Sequence, residues 1–356
     1  MEVLYDIPVI GLLIQFVAYL GTHLPVIAPI IVAAAVPVVL GALCGFMNER
    51  SGVVNIGIEG MMLTSAFVAW WVASLVHGFI PASSSSLPFG ITIPLLVGLV
   101  AAILAACLVS AVHAWLSITV RADQIISGTI INIFAFGITG YLNLLISQEA
   151  PTSAGSFKSL AMPSAITDLP IVGWLIESFL AVGPIALTML ISVIVLQVLL
   201  HRSRWGLRTK AVGEHPKAAE TVGIDVIRLR YRNVILGGIF AGLAGAYLTI
   251  EFGSAFQGGM TNGRGFIALA ALIFGRYTPI GAFGAALLFA SSVGIERLIR
   301  FVPPEGQLGD ILTSIPLEVY EALPYIITIV VLAGFVGRSI PPAADGKPYE
   351  RESRAA

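Results

Sequence analysis

The chain has 356 residues, a formal net charge of −1 and a mean hydropathy of +0.94. Only 11% of its residues are charged, whereas a soluble domain usually carries about 25%. This composition excludes an ordinary soluble domain and indicates an all-α polytopic membrane protein. The two cysteines and five scattered histidines exclude a disulfide framework and a metal site of recognised spacing, and no basic face supports binding to nucleic acid.

Apolar runs long enough to cross a bilayer recur along the chain, because a span needs roughly 20 mostly apolar residues. The run 7–22 contains Pro8 and Gly21 and is expected either to cross or to lie at the interface. The other predicted spans are 27–47, 60–79, 90–116, 124–148, 178–201, 233–250, 280–296 and 319–337, with 266–275 as a half-span. The sequence therefore predicts about nine to ten transmembrane helices within one transmembrane domain, 1–340.

A polar stretch with three glycines, Glu49–Met62, separates the spans 27–47 and 60–79. Irregular backbone at membrane depth is tolerated only beside protein or a water-filled path, and an ionisable residue in a span is usually functional or paired. We therefore predict that Asn55 and Glu59 face a translocation path. The alternative is a cytoplasmic turn whose charged side chains reach water.

Polar side chains also recur at helical spacing at the start of the span 124–148. Gln124, Ser127 and Asn132 lie near one face of this helix. We predict that they line the same path as Asn55 and Glu59. The alternative is hydrogen bonding between helices, which is common in membranes and contributes only ~0.6 kcal/mol on average.

Eight of the nineteen Lys and Arg residues lie in the stretch His201–Arg232, which predicts a cytoplasmic loop. Pro216 suits a first helical position, Glu214 suits the positive end of a helix dipole, and Gly223 suits a C-terminal cap. The loop therefore predicts a short helix over about 216–222. The alternative is an ordinary loop that only sets the orientation of the chain.

The remaining polar segments complete the predicted topology. The segment 149–177 is expected on the non-cytoplasmic side. Gly258–Phe266 precedes the half-span, as the stretch 52–60 precedes its span, and this correspondence predicts inverted repeats with broken helices near a central path. The C-terminal residues, 341–356, are predicted to form a short disordered cytoplasmic tail.

The residues of the basic loop also carry a family resemblance. Gly206–Arg208, Ala211–Glu214, Ala218–Ala219 and Gly223–Ile224 are similar to the coupling loop of bacterial ABC-importer permeases for branched-chain amino acids, simple sugars and nucleosides. The stretch Glu49–Met62 resembles the nucleoside-type members most closely. The chain departs from the family at His215, where relatives usually carry Asn.

The resemblance implies a transmembrane permease subunit in the bacterial inner membrane, with a cytoplasmic C-terminus and contact with membrane lipid. It implies alternating access together with a second permease subunit, in a homodimer or heterodimer, a cytoplasmic ABC ATPase and an extracytoplasmic substrate-binding lipoprotein. The residues that it assigns to ATPase coupling are Arg208, Gly213, Glu214, Pro216, Ala218, Ala219 and Gly223. The chain itself is expected to be non-catalytic and to hold no cofactor, because it has no Walker motif and ATP is used by the partner.

Other functions stay open on the sequence. Within the same family, the substrate is a nucleoside, a simple sugar or a branched-chain amino acid. An ion-coupled secondary transporter needs an ion site, for which Glu59 and Glu251 are the available acids. An intramembrane enzyme needs a catalytic cluster within the spans, and the sequence shows none.

Overall fold

The computed structural model describes residues 8–80, 88–147, 152–169, 172–316, 318–320, 322–323, 326, 329 and 339–350. No β-strand occurs in these ranges, so the predicted all-α class is confirmed. The helices are α1 (Pro8–Thr22), α2 (Leu24–Glu49), α3 (Ile58–Phe79), α4 (Ile93–Ala114), α5 (Gln124–Ser147), α6 (Ser164–Thr167), α7 (Val172–Leu180), α8 (Pro184–Arg202), α9 (Arg204–Glu214), α10 (Pro216–Thr221), α11 (Val226–Ile250), α12 (Arg264–Phe274), α13 (Pro279–Phe301) and α14 (Gln307–Ser314).

Seven of the described helices are long and apolar enough to cross a membrane, namely α2, α3, α4 with its continuation to Val120, α5, α8, α11 and α13. Two shorter apolar helices, α1 and α12, correspond to the segment 7–22, predicted either to cross or to lie at the interface, and to the predicted half-span. Most of the predicted span 319–337 lies outside the described residues. The predicted total of nine to ten spans therefore stays a prediction.

The chain divides into two compact units. The first comprises 1–35, 161–182 and 287–337. Its described core contains Tyr19 and Ile27 packed on Leu298 and Ile299. The Tyr19 hydroxyl also donates a hydrogen bond of 2.5 Å to the Val302 carbonyl, which fixes α1 beside the end of α13.

The second unit comprises 36–160, 183–286 and 338–356, and α3, α4 and α11 pack against one another within it. Small residues on α11 allow this packing. A Cβ atom placed on Gly242 would lie 2.7 Å from the Ile103 Cα, and one on Gly245 would lie 2.1 Å from the Met62 carbonyl oxygen. Because backbones approach this closely only where side chains are absent, these glycines allow α11 to pack directly against α3 and α4.

Two of the helices in the second unit are preceded by irregular backbone, as predicted. Residues 50–57 lead into α3, and residues 251–263 lead into α12. The N-termini of the two helices lie side by side, since a Cβ on Gly265 would come within 2.6 Å of the Glu59 Cα. At 1.5 Å per residue, the 11 residues of α12 span about 16 Å, or roughly half of a bilayer core.

The described C-terminal residues of the second unit are ordered, contrary to the sequence-based prediction. Residues 341–350 were predicted to be disordered, but in the structure they pack against α9, α10 and α11. Tyr349 is buried with Val212, Ala219 and Val226. The sequence did not predict this order because the segment is polar and has no hydrophobic pattern. Its order depends on hydrogen bonds to residues that are distant in the chain. Residues 351–356 lie outside the described residues.

Candidate functional site

The irregular segment 50–57 enters the protein interior, where its backbone groups need partners other than water. Side chains from two other helices supply them. The Gln124 side-chain oxygen accepts from the Val54 N–H at 2.7 Å, and His113 Nε2 lies 3.0 Å from the Val54 carbonyl. Ser127 Oγ in turn lies 3.1 Å from His113 Nδ1. These contacts hold the segment between α4 and α5.

Asn132 makes two further bonds to the same region. Its Oδ1 accepts from the Gly60 N–H at 2.7 Å, and its Nδ2 donates to the Ile56 carbonyl at 3.0 Å. Gly57, which precedes α3, provides no side-chain cap, so Asn132 satisfies one of the unpaired N–H groups at the start of that helix. Gly128 allows α5 to approach, since a Cβ there would lie 2.7 Å from the Gly57 nitrogen.

Glu59 connects the two broken helices. Its carboxylate oxygens accept from the Gly263 N–H at 2.9 Å and from the Gly265 N–H at 2.6 Å. Glu59 itself lies in the first turn of α3. One carboxylate therefore joins the first turn of α3 to the N-terminus of α12.

Two buried polar atoms in this region have no hydrogen-bond partner among the described residues. They are the Asn55 side-chain oxygen and the Gln124 side-chain nitrogen, an acceptor and a donor on either side of Val54. Asn55 is fully buried, and its amide nitrogen lies 3.5 Å from the Met61 sulfur. Unpaired buried polar atoms are costly and rare in native proteins, so a role beyond packing is expected for them.

The structure brings together the five residues predicted for the path, which are Asn55, Glu59, Gln124, Ser127 and Asn132. The bonds of Gln124, Ser127 and Asn132 match the alternative for these residues, hydrogen bonding between helices. Glu59 bonds to the N-terminal end of α12, whereas the alternative for its stretch was a side chain that reaches water. Sequence reasoning missed His113, which is fully buried at the centre of the cluster. Its signal was the helical spacing of Ser110, His113 and Ser117 on α4.

The basic loop forms two consecutive helices rather than one. The predicted helix is present as α10, over Pro216–Thr221, and Gly223 follows it with φ of +84°, as expected of a C-terminal cap. The preceding helix, α9, was not predicted. Its signal was Ser203, whose side chain accepts from the Gly206 N–H at 3.0 Å and caps the helix.

The residues predicted for ATPase coupling divide into two groups in the structure. Arg208, Glu214, Ala218 and Gly223 are exposed, and Pro216 is half-buried. The neighbouring apolar side chains Leu207 and Val222 are also exposed, at 65% and 74% accessible. Gly213 and Ala219 are buried against their own chain. We call the exposed residues Leu207, Arg208, Ala218 and Val222 the coupling surface, whereas Gly213 and Ala219 lie inside the helix pair α9 and α10.

Gly213 is required for close packing rather than for a left-handed turn. Gly213 belongs to α9 and has no positive φ. A Cβ at this position would lie 2.3 Å from the Arg50 carbonyl oxygen. Glycine is therefore needed for close approach between α9 and the start of the irregular segment. Glu214, next to it, accepts from the Ala343 N–H at 3.1 Å.

Comparisons with known proteins agree with this architecture. Residues 27–335 match the family described as branched-chain amino acid transport system / permease component. A guanosine ABC transporter permease protein of Bacillus subtilis is 38% identical over 93% of this chain and 98% of its own length. A nucleoside ABC transporter permease protein of Lactococcus lactis is 34% identical over 88% of this chain and 93% of its own length. A putative glucose ABC transporter permease protein of Haloferax volcanii is 32% identical over 90% of this chain and 96% of its own length. No solved structure matches the chain significantly.

Proposed function

Because this chain belongs to the family of permease components of branched-chain amino acid transport systems, we propose that it is the permease subunit of an ATP-driven importer of nucleosides. It is an ABC transporter permease and a multi-pass protein of the cell membrane. The nucleoside class rests on one observation, the 38% and 34% identity to relatives named as guanosine and nucleoside permeases. The relative named as a glucose permease, at 32% identity, favours simple sugars as a second candidate.

A transport subunit of this family associates with an ABC ATPase and a substrate-binding protein and is not itself catalytic. We place the binding protein outside the cell, as a lipoprotein, and the ATPase in the cytoplasm, where it consumes the ATP. A second permease subunit, identical or homologous, completes the path within the lipid of the inner membrane. The basic loop 201–232 and the C-terminus face the cytoplasm in this arrangement, as the distribution of Lys and Arg favours.

The proposed path runs beside the cluster of Asn55, Glu59, Gln124, Ser127 and Asn132. Its support is the pair of unpaired buried atoms on Asn55 and Gln124, because a nucleoside offers both donors and acceptors. These atoms become available to substrate when the segment 50–57 moves during alternating access. The bonds from Glu59 and Asn132 keep the ends of α3 and α12 in place during that motion.

The proposed contact with the ATPase is the coupling surface. Its support is the exposure of Leu207 and Val222 beside Arg208 and Ala218. Exposed apolar area favours association with another protein, so we assign the ATPase contact to the part of the loop that carries Leu207 and Val222. The buried Gly213 and Ala219 support the surface from within, the exposed Glu214 accepts from the Ala343 N–H, and Pro216 and Gly223 set the limits of α10.

The substrate class is tested by uptake of tritiated guanosine into bacterial cells that express the chain with its ATPase and binding protein. Competitors in excess are adenosine, cytidine, ribose, glucose and leucine. We expect the nucleosides to abolish uptake and the sugars and leucine to leave it unchanged. Competition by glucose or ribose alone transfers the assignment to simple sugars, and competition by leucine alone transfers it to branched-chain amino acids.

A further inference from the structure

The segment 339–350, which we call the C-terminal strap, connects several separate elements of the second unit. At its start, the Ser339 hydroxyl donates to the Ile273 carbonyl at the end of α12, at 2.7 Å. In its middle, the Ala344 N–H donates to the Gly213 carbonyl at 2.8 Å, close to the end of α9. The strap thus joins the half-helix α12 to the first helix of the coupling loop.

The second half of the strap surrounds Arg230, a residue of α11 that is only 1% exposed. The Arg230 guanidinium donates to the Lys347 carbonyl at 3.1 Å and to the Ser51 carbonyl at 3.0 Å. Its Cζ also lies 6.0 Å from the centroid of the Tyr349 ring. One buried cation therefore holds the strap on one side and the start of the irregular segment on the other.

Tyr349 extends the connection to α10. Its ring is buried with Val212 and Ala219, and its hydroxyl hydrogen-bonds to the Glu220 carboxylate. By contrast, the ion pair of Glu350 with Arg121, at 2.8 Å, is exposed on both sides and contributes little to stability. The strap is thus fixed mainly by backbone bonds and by the buried side chains of Arg230 and Tyr349.

The backbone beneath the strap is packed too closely for a side chain at Gly52. Gly52 has φ of +87°, and a Cβ there would lie 2.6 Å from an Arg230 guanidinium nitrogen and 3.0 Å from the Ala344 carbonyl oxygen. A buried guanidinium without carbonyl partners is strongly destabilising, so Arg230 needs both the segment and the strap. The segment 50–57, the strap and Arg230 therefore depend on one another for their positions.

We propose that the C-terminal strap is a positioning element for energy coupling, which links the coupling helices α9 and α10 to the segment 50–57 through Arg230. This inference rests on the proposed function. A displacement of α9 and α10 on the ATPase moves the strap through the Gly213 carbonyl and through Tyr349. Through Arg230, the same displacement reaches the Ser51 carbonyl and hence the polar cluster around Asn55.

The test uses the complete complex in proteoliposomes, with guanosine-loaded binding protein as the stimulus. A variant that lacks 341–356 is compared with one that lacks only 351–356. The first is expected to lose at least about 10-fold in guanosine uptake and in stimulation of ATP hydrolysis, while basal hydrolysis stays within about twofold. The second is expected to match the wild type, because it keeps every contact described above.

Point variants keep the test decisive where the truncated chain fails to assemble. Ala344→Pro removes the donor to the Gly213 carbonyl, and Arg230→Gln removes the buried charge. Both are expected to lower stimulation with basal hydrolysis retained, and Arg230→Lys is expected to recover part of it. Glu350→Ala, which removes only the exposed ion pair, serves as the matched control.

The outcomes separate the two proposals. A wild-type complex without ATP-dependent guanosine uptake overturns the proposed function, whatever the variants do. A working wild type, together with normal stimulation in Ala344→Pro and in the chain lacking 341–356, overturns the role of the strap. An equal loss of basal and stimulated hydrolysis also overturns it, because the strap would then act only in folding.

Discussion

Replacing Asn132 by Leu tests whether this side chain holds the entrance to α3. The substitution removes the bond from the Gly60 N–H, of 2.7 Å, and the bond to the Ile56 carbonyl, of 3.0 Å. Leaving a buried backbone group unpaired costs about 1–3 kcal/mol, so the two groups together cost about 2–6 kcal/mol. We therefore expect Asn132→Leu to lower both the thermal stability of the permease and its transport rate.

The matched control is Asn143→Leu on the same helix. The Asn143 amide accepts only one long bond of 3.4 Å from the exposed Ser147 hydroxyl, and its loss costs a small fraction of that amount. Thermal unfolding of both purified variants in detergent, followed by tryptophan fluorescence, gives the comparison. If the Tm of Asn132→Leu equals that of Asn143→Leu, the structural role assigned to Asn132 is wrong.

Three further predictions follow from particular contacts. Gly213→Val places its Cβ atom 2.3 Å from the position of the Arg50 carbonyl oxygen. Substrate stimulation of ATP hydrolysis is therefore expected to fall, while substrate binding outside the cell persists. Full stimulation would refute the role of this contact. Burial raises the pKa of Asp345 from 3.8 to about 7, although the Gly346 N–H and Arg230 oppose the shift. The carboxylate of Glu49 also interacts electrostatically with the Asp345 carboxylate. The folded state therefore retains a proton that the unfolded state releases, and this contribution to stability is complete below pH 3.8 and is lost as pH rises through about 7. Asp345→Asn is expected to flatten the fall of Tm between pH 5 and pH 8, and an unchanged slope contradicts the assignment. In a cysteine-free background, an impermeant thiol reagent applied to intact cells is expected to label Ser156→Cys and not His215→Cys, and the reverse pattern overturns the orientation.

The sequence predicted those features that depend on local pattern. The apolar runs predicted the long helices, the glycines around Glu59 and Arg264 predicted the two breaks, and Pro216 with Gly223 predicted the limits of α10. Each depends on hydropathy or on backbone conformations that nearby residues determine. The same reasoning placed the five polar residues of the candidate path, which the structure brings into one cluster.

Other features depend on residues far apart in the chain and could not be predicted. The order of the C-terminal strap comes from the Gly213 carbonyl and from Arg230, more than a hundred residues earlier. The need for glycine at 213 comes from the approach of Arg50, not from a local turn. The start of α8 at Pro184 rather than 178 reflects Glu251, whose carboxylate caps that helix through the N–H groups of Ile185 and Ala186.

The most direct test of the central claim is the energy source of guanosine uptake. Proteoliposomes contain the chain with its ATPase and are supplied with loaded binding protein outside, with or without ATP on the ATPase side. We expect uptake that requires ATP, stops with vanadate and persists when an uncoupler collapses the ion gradients. Uptake that proceeds without ATP and stops with the uncoupler would contradict the account and assign the chain to ion-coupled transport.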